Sequence, residues 1–190
     1  MKTYRIFCLI LSLVLLSACE VRMAPTEYWS KLFRTQTDSR YYQIKSEHLT
    51  NQVAKDIEEY EIDRITVMDF VDEGNRVSIL GEYLSSRIIE AFTSRSLFHN
   101  RTFRVTQKGE VNEILKQLKL KHNYLYAKND LKVLGKSLDS QAILTGKITD
   151  LGTNIDMHLT LTDVVTGEVI SSATQHLKRT KFAVEMLRQY

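Results

Sequence analysis

The sequence predicts an α/β fold of mixed α+β character. It is a single mixed sheet of about five strands with helices packed on it, the first two strands parallel through a helix crossover and the last three an antiparallel meander. Three observations predict it. Arg64-Ile65-Thr66-Val67-Met68-Asp69-Phe70-Val71 is β-branched and almost continuously apolar, the pattern of a strand covered on both faces. Leu80, Leu84, Ile88 and Phe92 then mark one stripe of a long helix, which suits the crossover that a parallel neighbour at Thr102 to Thr106 requires. Later, Ile155, Met157, Leu159 and Leu161 alternate strictly with Asp156, His158 and Thr160, as in a strand with one wet face.

The elements follow in order. Residues 20–45 read as an arm holding the only proline, Pro25, with Tyr28, Trp29, Leu32 and Phe33 on one face of a short helix capped by Thr26. That face suits docking on the chain's own domain, a partner or a membrane. From Ser46 to Tyr60, Leu49, Val53, Ile57 and Tyr60 recur at near-helical spacing. The polar Asp72-Glu73-Gly74-Asn75 ends the first strand. Beyond the second strand, Val111, Ile114, Leu115 and Leu118 mark a helix, and Asn129 or Asp130 caps a short one through Leu131 and Leu134. Three strands follow, Ala142 to Ile148, Ile155 to Thr162 and Glu168 to Leu177. Asp163-Val164-Val165-Thr166-Gly167 forms the last hairpin turn, and Lys178 to Tyr190 forms a closing helix with Phe182, Met186 and Leu187 on its apolar side.

The chain has 190 residues, 43% of them apolar and 26% charged, with one proline and seven glycines, which excludes a disordered or fibrous protein. Residues 1–18 read as a bacterial secretory signal: Lys2 and Arg5 supply the charged start, and Ile6 to Leu16 an apolar core too short to cross a bilayer. Leu16-Ser17-Ala18-Cys19 resembles the lipobox of bacterial lipoproteins. That resemblance implies cleavage between Ala18 and Cys19, lipidation at Cys19 with diacylglyceryl and acyl chains such as palmitate, and, with Glu20 in place of Asp, sorting to the outer membrane of a Gram-negative cell. An ordinary signal peptide with an incidental Cys19 is the alternative. The expected organisation is a signal peptide over 1–18, a lipidated arm over 19–45 and one α/β domain over 46–190.

Removing Lys2 and Arg5 takes Lys+Arg from 26 to 24, against 23 Asp+Glu, so the chain after the leader is nearly neutral. A nucleic-acid partner would want a strong basic field, and none is expected. Cys8 leaves with the leader, so the domain has no thiol for a disulfide, a zinc site or a nucleophile.

The sequence shows little chemistry. His48, His99, His122, His158 and His176 lack metal-ligand spacing, although His158 and His176 can face each other across the final hairpin in one register. Asp69 lies late in the buried strand, where a carboxylate can face a crevice; a hydrogen bond into the following turn is the expectation. There is no GxGxxG, phosphate loop or GxSxG elbow. Arg87, Arg95, Arg101 and Arg104 read as a solvated basic face, and Tyr124-Leu125-Tyr126 as packing at an element's end. No catalytic residue, cofactor or metal is expected, and the chain is not expected to be an enzyme.

Ile65-Thr66-Val67-Met68-Asp69-Phe70, Leu80-Gly81-Glu82-Tyr83-Leu84, Phe103-Arg104-Val105, the helix from Val111 to Leu118, Ala142 to Ile148 and Leu159 to Ile170 with its Thr166-Gly167-Glu168 turn together resemble the FlgO family of flagellar outer-membrane lipoproteins. The wider group includes the CsgG curli secretion lipoprotein, LpoB-type penicillin-binding-protein activators and the TolB amino-terminal domain. The resemblance spans about residues 46–177. It implies a non-catalytic lipoprotein, anchored to the outer membrane on its periplasmic or surface side, which supports the flagellum and motility through envelope protein partners and allows a homo-oligomeric ring. An activator of an envelope enzyme or a curli-type secretion factor is the alternative. A self-made pore is not expected, because only residues 155–161 alternate as a membrane strand would.

Overall fold

The computed structural model describes residues 25–94 and 103–188, with side chains from Ser39 onward. Among the described residues, five strands form one sheet: β1 (Arg64–Val67), β2 (Arg104–Val105), β3 (Ala142–Asp150), β4 (Asn154–Asp163) and β5 (Val169–Lys178), in the order β2-β1-β3-β4-β5. The expected class and strand pairing are observed. β1 pairs parallel with β2 (Ile65 with Val105) and also with β3 (Ile65 with Ala142), while β3, β4 and β5 are antiparallel. Among the described residues five helices accompany them: α1 (Pro25–Glu59), α2 (Ile79–Ser94), α3 (Lys108–Leu118), α4 (Lys128–Ser137) and α5 (Lys181–Met186).

The hydrophobic pattern of each strand reports what covers it. One face of the sheet presents Ile65, Val67, Leu144, Ile148, Met157 and Leu159 to Leu49, Val53 and Ile57 of α1 and to Leu84, Ile88 and Phe92 of α2. The other face is covered near β1 and the start of β3, where Met68 and Ile143 meet Val111 and Leu115 of α3 and Leu131 and Leu134 of α4. That two-sided cover explains the unbroken apolar run of β1. Along β4 the second face stays polar, so the sequence alternates.

Several element boundaries differ from the sequence reading. Residues 45 and 46, between which the sequence places the arm–domain boundary, both lie inside α1, and one compact unit spans Asp38–Tyr190. Tyr42 is fully buried and belongs to the core stripe that continues through Leu49, Val53 and Ile57. The helix expected to be capped by Asn129 or Asp130 starts at Lys128, with Ala127 as an N-cap that makes no side-chain bond. β1 stops at Val67 instead of Val71, because Val67 pairs with Leu144 while Val71 pairs with Lys147, four steps against three. The extra residue is a bulge, and it turns Phe70 onto the same face as Val67.

The closing helix docks on its own domain, and it is shorter than the expected span of Lys178 to Tyr190. Thr180 caps α5 by accepting the Ala183 N–H, and Tyr42 Oη donates to the Lys178 carbonyl at 2.8 Å. Phe182 packs between the Tyr42 and Tyr83 rings. Thr180→Ala should cost about 1 kcal/mol by loss of the cap, read as a lower urea midpoint at unchanged slope.

Candidate functional site

At the carboxyl ends of β1 and β2 the chain divides: α2 leaves β1 toward one face of the sheet, and α3 leaves β2 toward the other. Crevices outside strand ends open at such a switch point. Asp69, displaced by the bulge, sits there and is only 8% exposed. Its Oδ1 accepts from Ser85 Oγ of α2 at 2.6 Å and lies 2.8 Å from the Nζ of Lys108, the first residue of α3. Lys108 Nζ also reaches Glu82 Oε1, in the first turn of α2, at 3.0 Å. One ammonium therefore ties two carboxylates and clasps the two helices on opposite sides of the sheet.

His122 completes the cluster from the loop after α3. That helix ends at Lys119 in the left-handed conformation, whose N–H returns to the Leu115 and Lys116 carbonyls and turns the chain back. His122 Nε2 lies 3.3 Å from Asn112 Oδ1 and 3.8 Å from Asp69 Oδ2, whereas its buried Nδ1 has no hydrogen-bond partner. Burial lowers the His122 pKa below 6.5; Asp69 and Glu82 oppose the shift and Lys108 adds to it. The unfolded chain then takes up its proton first on acidification. Stability carried by neutral His122 is whole above about pH 6.5 and is lost as pH falls toward the lower folded value. Urea midpoints should drop between pH 7.5 and 5.5, and His122→Gln should flatten that part of the profile.

Beside His122 opens a groove of about 720 Å³, lined among others by Arg76, Val77, Leu115, Lys116, Lys121 and Tyr126. Tyr126 is pushed up to about 12 by burial, with the Asn123 N–H opposing the rise and Asp130 adding to it. Its hydroxyl donates to the Lys121 carbonyl at 2.9 Å and fixes the loop.

Asp69, singled out from the sequence, bonds across to two helices and not into the turn that follows it. Asp72 serves that turn, its Oδ1 accepting from the Gly74 and Arg76 N–H groups at 2.7 and 2.9 Å. Burial opposes ionisation of Asp72, but these bonds and the Arg76 guanidinium hold its carboxyl below the usual range. Ser85 is fully buried, so its hydroxyl holds Asp69 without an open approach for a substrate. Glu82, Ser85, Lys108 and His122 escaped the sequence reading of this site, because no local spacing links residues on two helices and a loop. The one available signal was that Glu82 and Lys108 each open a helix after a parallel strand.

The histidines of the final hairpin do not face each other directly. The register sets His158 opposite Thr174 and His176 opposite Asp156, whose Oδ1 lies 2.7 Å from His176 Nδ1. Tyr124 bonds Thr160 through its hydroxyl at 2.7 Å, which fits a packing role, and Arg87 pairs with Glu90 on the surface. Cys19, Arg95 and Arg101 lie outside the described residues, as do the side chains of Tyr28, Trp29, Leu32 and Phe33.

No protein-family model matches the chain, and no curated protein matches it. Solved structures do. The LpoB C-terminal domain from Salmonella enterica superposes with a TM-score of 0.50 at 16% identity, covering 69% of this chain and 96% of that one. The same domain from Escherichia coli gives 0.51 at 15% identity, with 69% and 96% covered. The solution structure of E. coli LpoB gives 0.51 at 16% identity, covering 70% of this chain and 66% of LpoB. The chain is thus similar in fold to the LpoB C-terminal domain.

Proposed function

We propose that the protein is a non-catalytic, lipid-anchored envelope protein that acts by binding a partner protein, in the manner of an activator or assembly factor. The observation that carries the reading is the LpoB-like sheet, which spans almost the whole of that domain. The cluster at Asp69 supports it, since Ser85 and Lys108 occupy its inner oxygen and the arrangement braces α2 against α3. No described helix is long and apolar enough to cross a membrane, and the anchor proposed here is the lipidated Cys19 at the outer membrane. Several acyl chains hold a protein firmly, at about 0.8 kcal/mol for each buried methylene.

The flagellar role implied by the FlgO resemblance is the narrower alternative, and one experiment separates the two. A deletion strain is scored for swimming, wall synthesis and secretion, and complemented with the native gene or with Cys19→Ala. Altered wall synthesis or secretion with normal swimming supports the partner-activating reading; lost motility with a normal envelope moves the assignment to the flagellum. Palmitate labelling of the native protein and not of Cys19→Ala supports the anchor, and full complementation by an unlabelled variant overturns it.

A further inference from the structure

The groove beside His122 has a volume in the range of ligand sites and lies next to the switch-point crevice, where open α/β sheets bind what they bind. Val77, Leu115 and Leu120 give it an apolar lining. Its charges are one-sided: Arg76, Lys116 and Lys121 line it against a single acidic residue, Asp130. Arg76 is committed to Asp72, at 3.0 Å. Lys116 and Lys121 are exposed and have no side-chain partner among the described residues. An apolar lining with two uncommitted ammonium groups at its edge is complementary to a chain segment that offers both an apolar side chain and a carboxylate.

We infer that this groove is a docking site for a short acidic and apolar segment of a partner protein, with Lys116 and Lys121 receiving its carboxylate and the wall of Val77, Leu115 and Leu120 its apolar neighbour. The inference rests on the partner-binding reading and names the surface and the chemistry through which it operates. The bond from Tyr126 to Lys121 and the left-handed stop at Lys119 hold the loop that carries Lys121, so the site is largely formed before the segment arrives.

The test uses the full ¹⁵N-labelled chain in detergent micelles, titrated with acetyl-Leu-Glu-Leu-amide, with its Gln counterpart and with inorganic phosphate. The expected result is saturable movement of the Gly74, Lys116, Lys121 and Asn123 amides by the Glu peptide. The Gln peptide should bind several-fold more weakly, and Lys116→Gln/Lys121→Gln should weaken the Glu peptide by about three- to tenfold, as two exposed ion pairs allow. Circular dichroism confirms that the double variant is folded. Equal binding of the two peptides, shifts scattered over the surface, or the same shifts from phosphate with none from peptide would each overturn the inference. Should the groove take no peptide while the native protein still crosslinks its partner in cells, the docking site is wrong and the partner-binding reading stands. If the native protein crosslinks no partner in cells although the groove takes the peptide, the partner-binding reading falls and the inference falls with it.

Discussion

Asp69→Ala should destabilise the domain by about 2 kcal/mol, because it removes the buried carboxylate that the half-buried Lys108 and the buried Ser85 both bond. Lys108 would retain Glu82, but Glu82 is the more exposed of its two partners, and Ser85 would lose its 2.6 Å acceptor. Lys108→Met should cost a similar amount by the reverse route, leaving the Asp69 carboxylate 8% exposed with Ser85 as its close donor. The informative measurement is the cycle. If the ammonium and carboxylate act as a unit, the double variant Asp69→Ala/Lys108→Met should be less destabilised than the sum of the singles by about 1–3 kcal/mol. Urea titrations at pH 7.5, where His122 is neutral, isolate this term. Strict additivity would mean that each side chain packs independently and that the clasp between α2 and α3 is held elsewhere.

How far the sequence exposed this arrangement follows from which contacts are local. The alternation of Ile155, Met157, Leu159 and Leu161 was readable because β4 has one wet face, and the run from Ile65 to Val67 because β1 has none. The bulge after Val67 was not readable, since an extra residue in one strand exists only relative to its partner. Yet it decides which face Phe70 takes and moves Asp69 out of the regular ladder. The polar stretch Thr35-Gln36-Thr37-Asp38-Ser39 lies within the helical backbone of α1. Tyr42 opens the buried stripe two turns before Leu49, the first aliphatic residue of that face. Of the candidate site, Asp69 was visible as a buried carboxylate at a strand end. Glu82, Ser85, Lys108 and His122 meet it only through tertiary packing.

Gly81→Ala and Gly146→Ala should both be destabilising, and the contrast between them shows how the bulge is fixed. A Cβ on Gly146 would stand 2.3 Å from Phe70 Cδ1, so the methyl strikes a side chain; a Cβ on Gly81 would stand 2.1 Å from the Phe70 carbonyl oxygen, so it strikes the main chain. The two glycines therefore grip one residue, β3 against its ring and α2 against its backbone. Gly146→Ala should cost about 1–3 kcal/mol, the usual range for an overpacked core. Phe70→Leu in the same chain should return part of that loss, because the smaller side chain vacates the ring edge. For Gly81→Ala the same rescue should fail, as leucine leaves the carbonyl in place, and the loss should reach the top of that range or exceed it. Relief would require α2 to move away from the bulge. Since Glu82 and Ser85 travel with α2, the movement should also loosen Lys108 and Asp69, so Gly81→Ala should reduce the coupling measured between those two residues, whereas Gly146→Ala should leave it intact. Equal rescue of both glycine variants by Phe70→Leu would place the constraint in the ring alone and dissolve the link between the helix contact and the ion cluster.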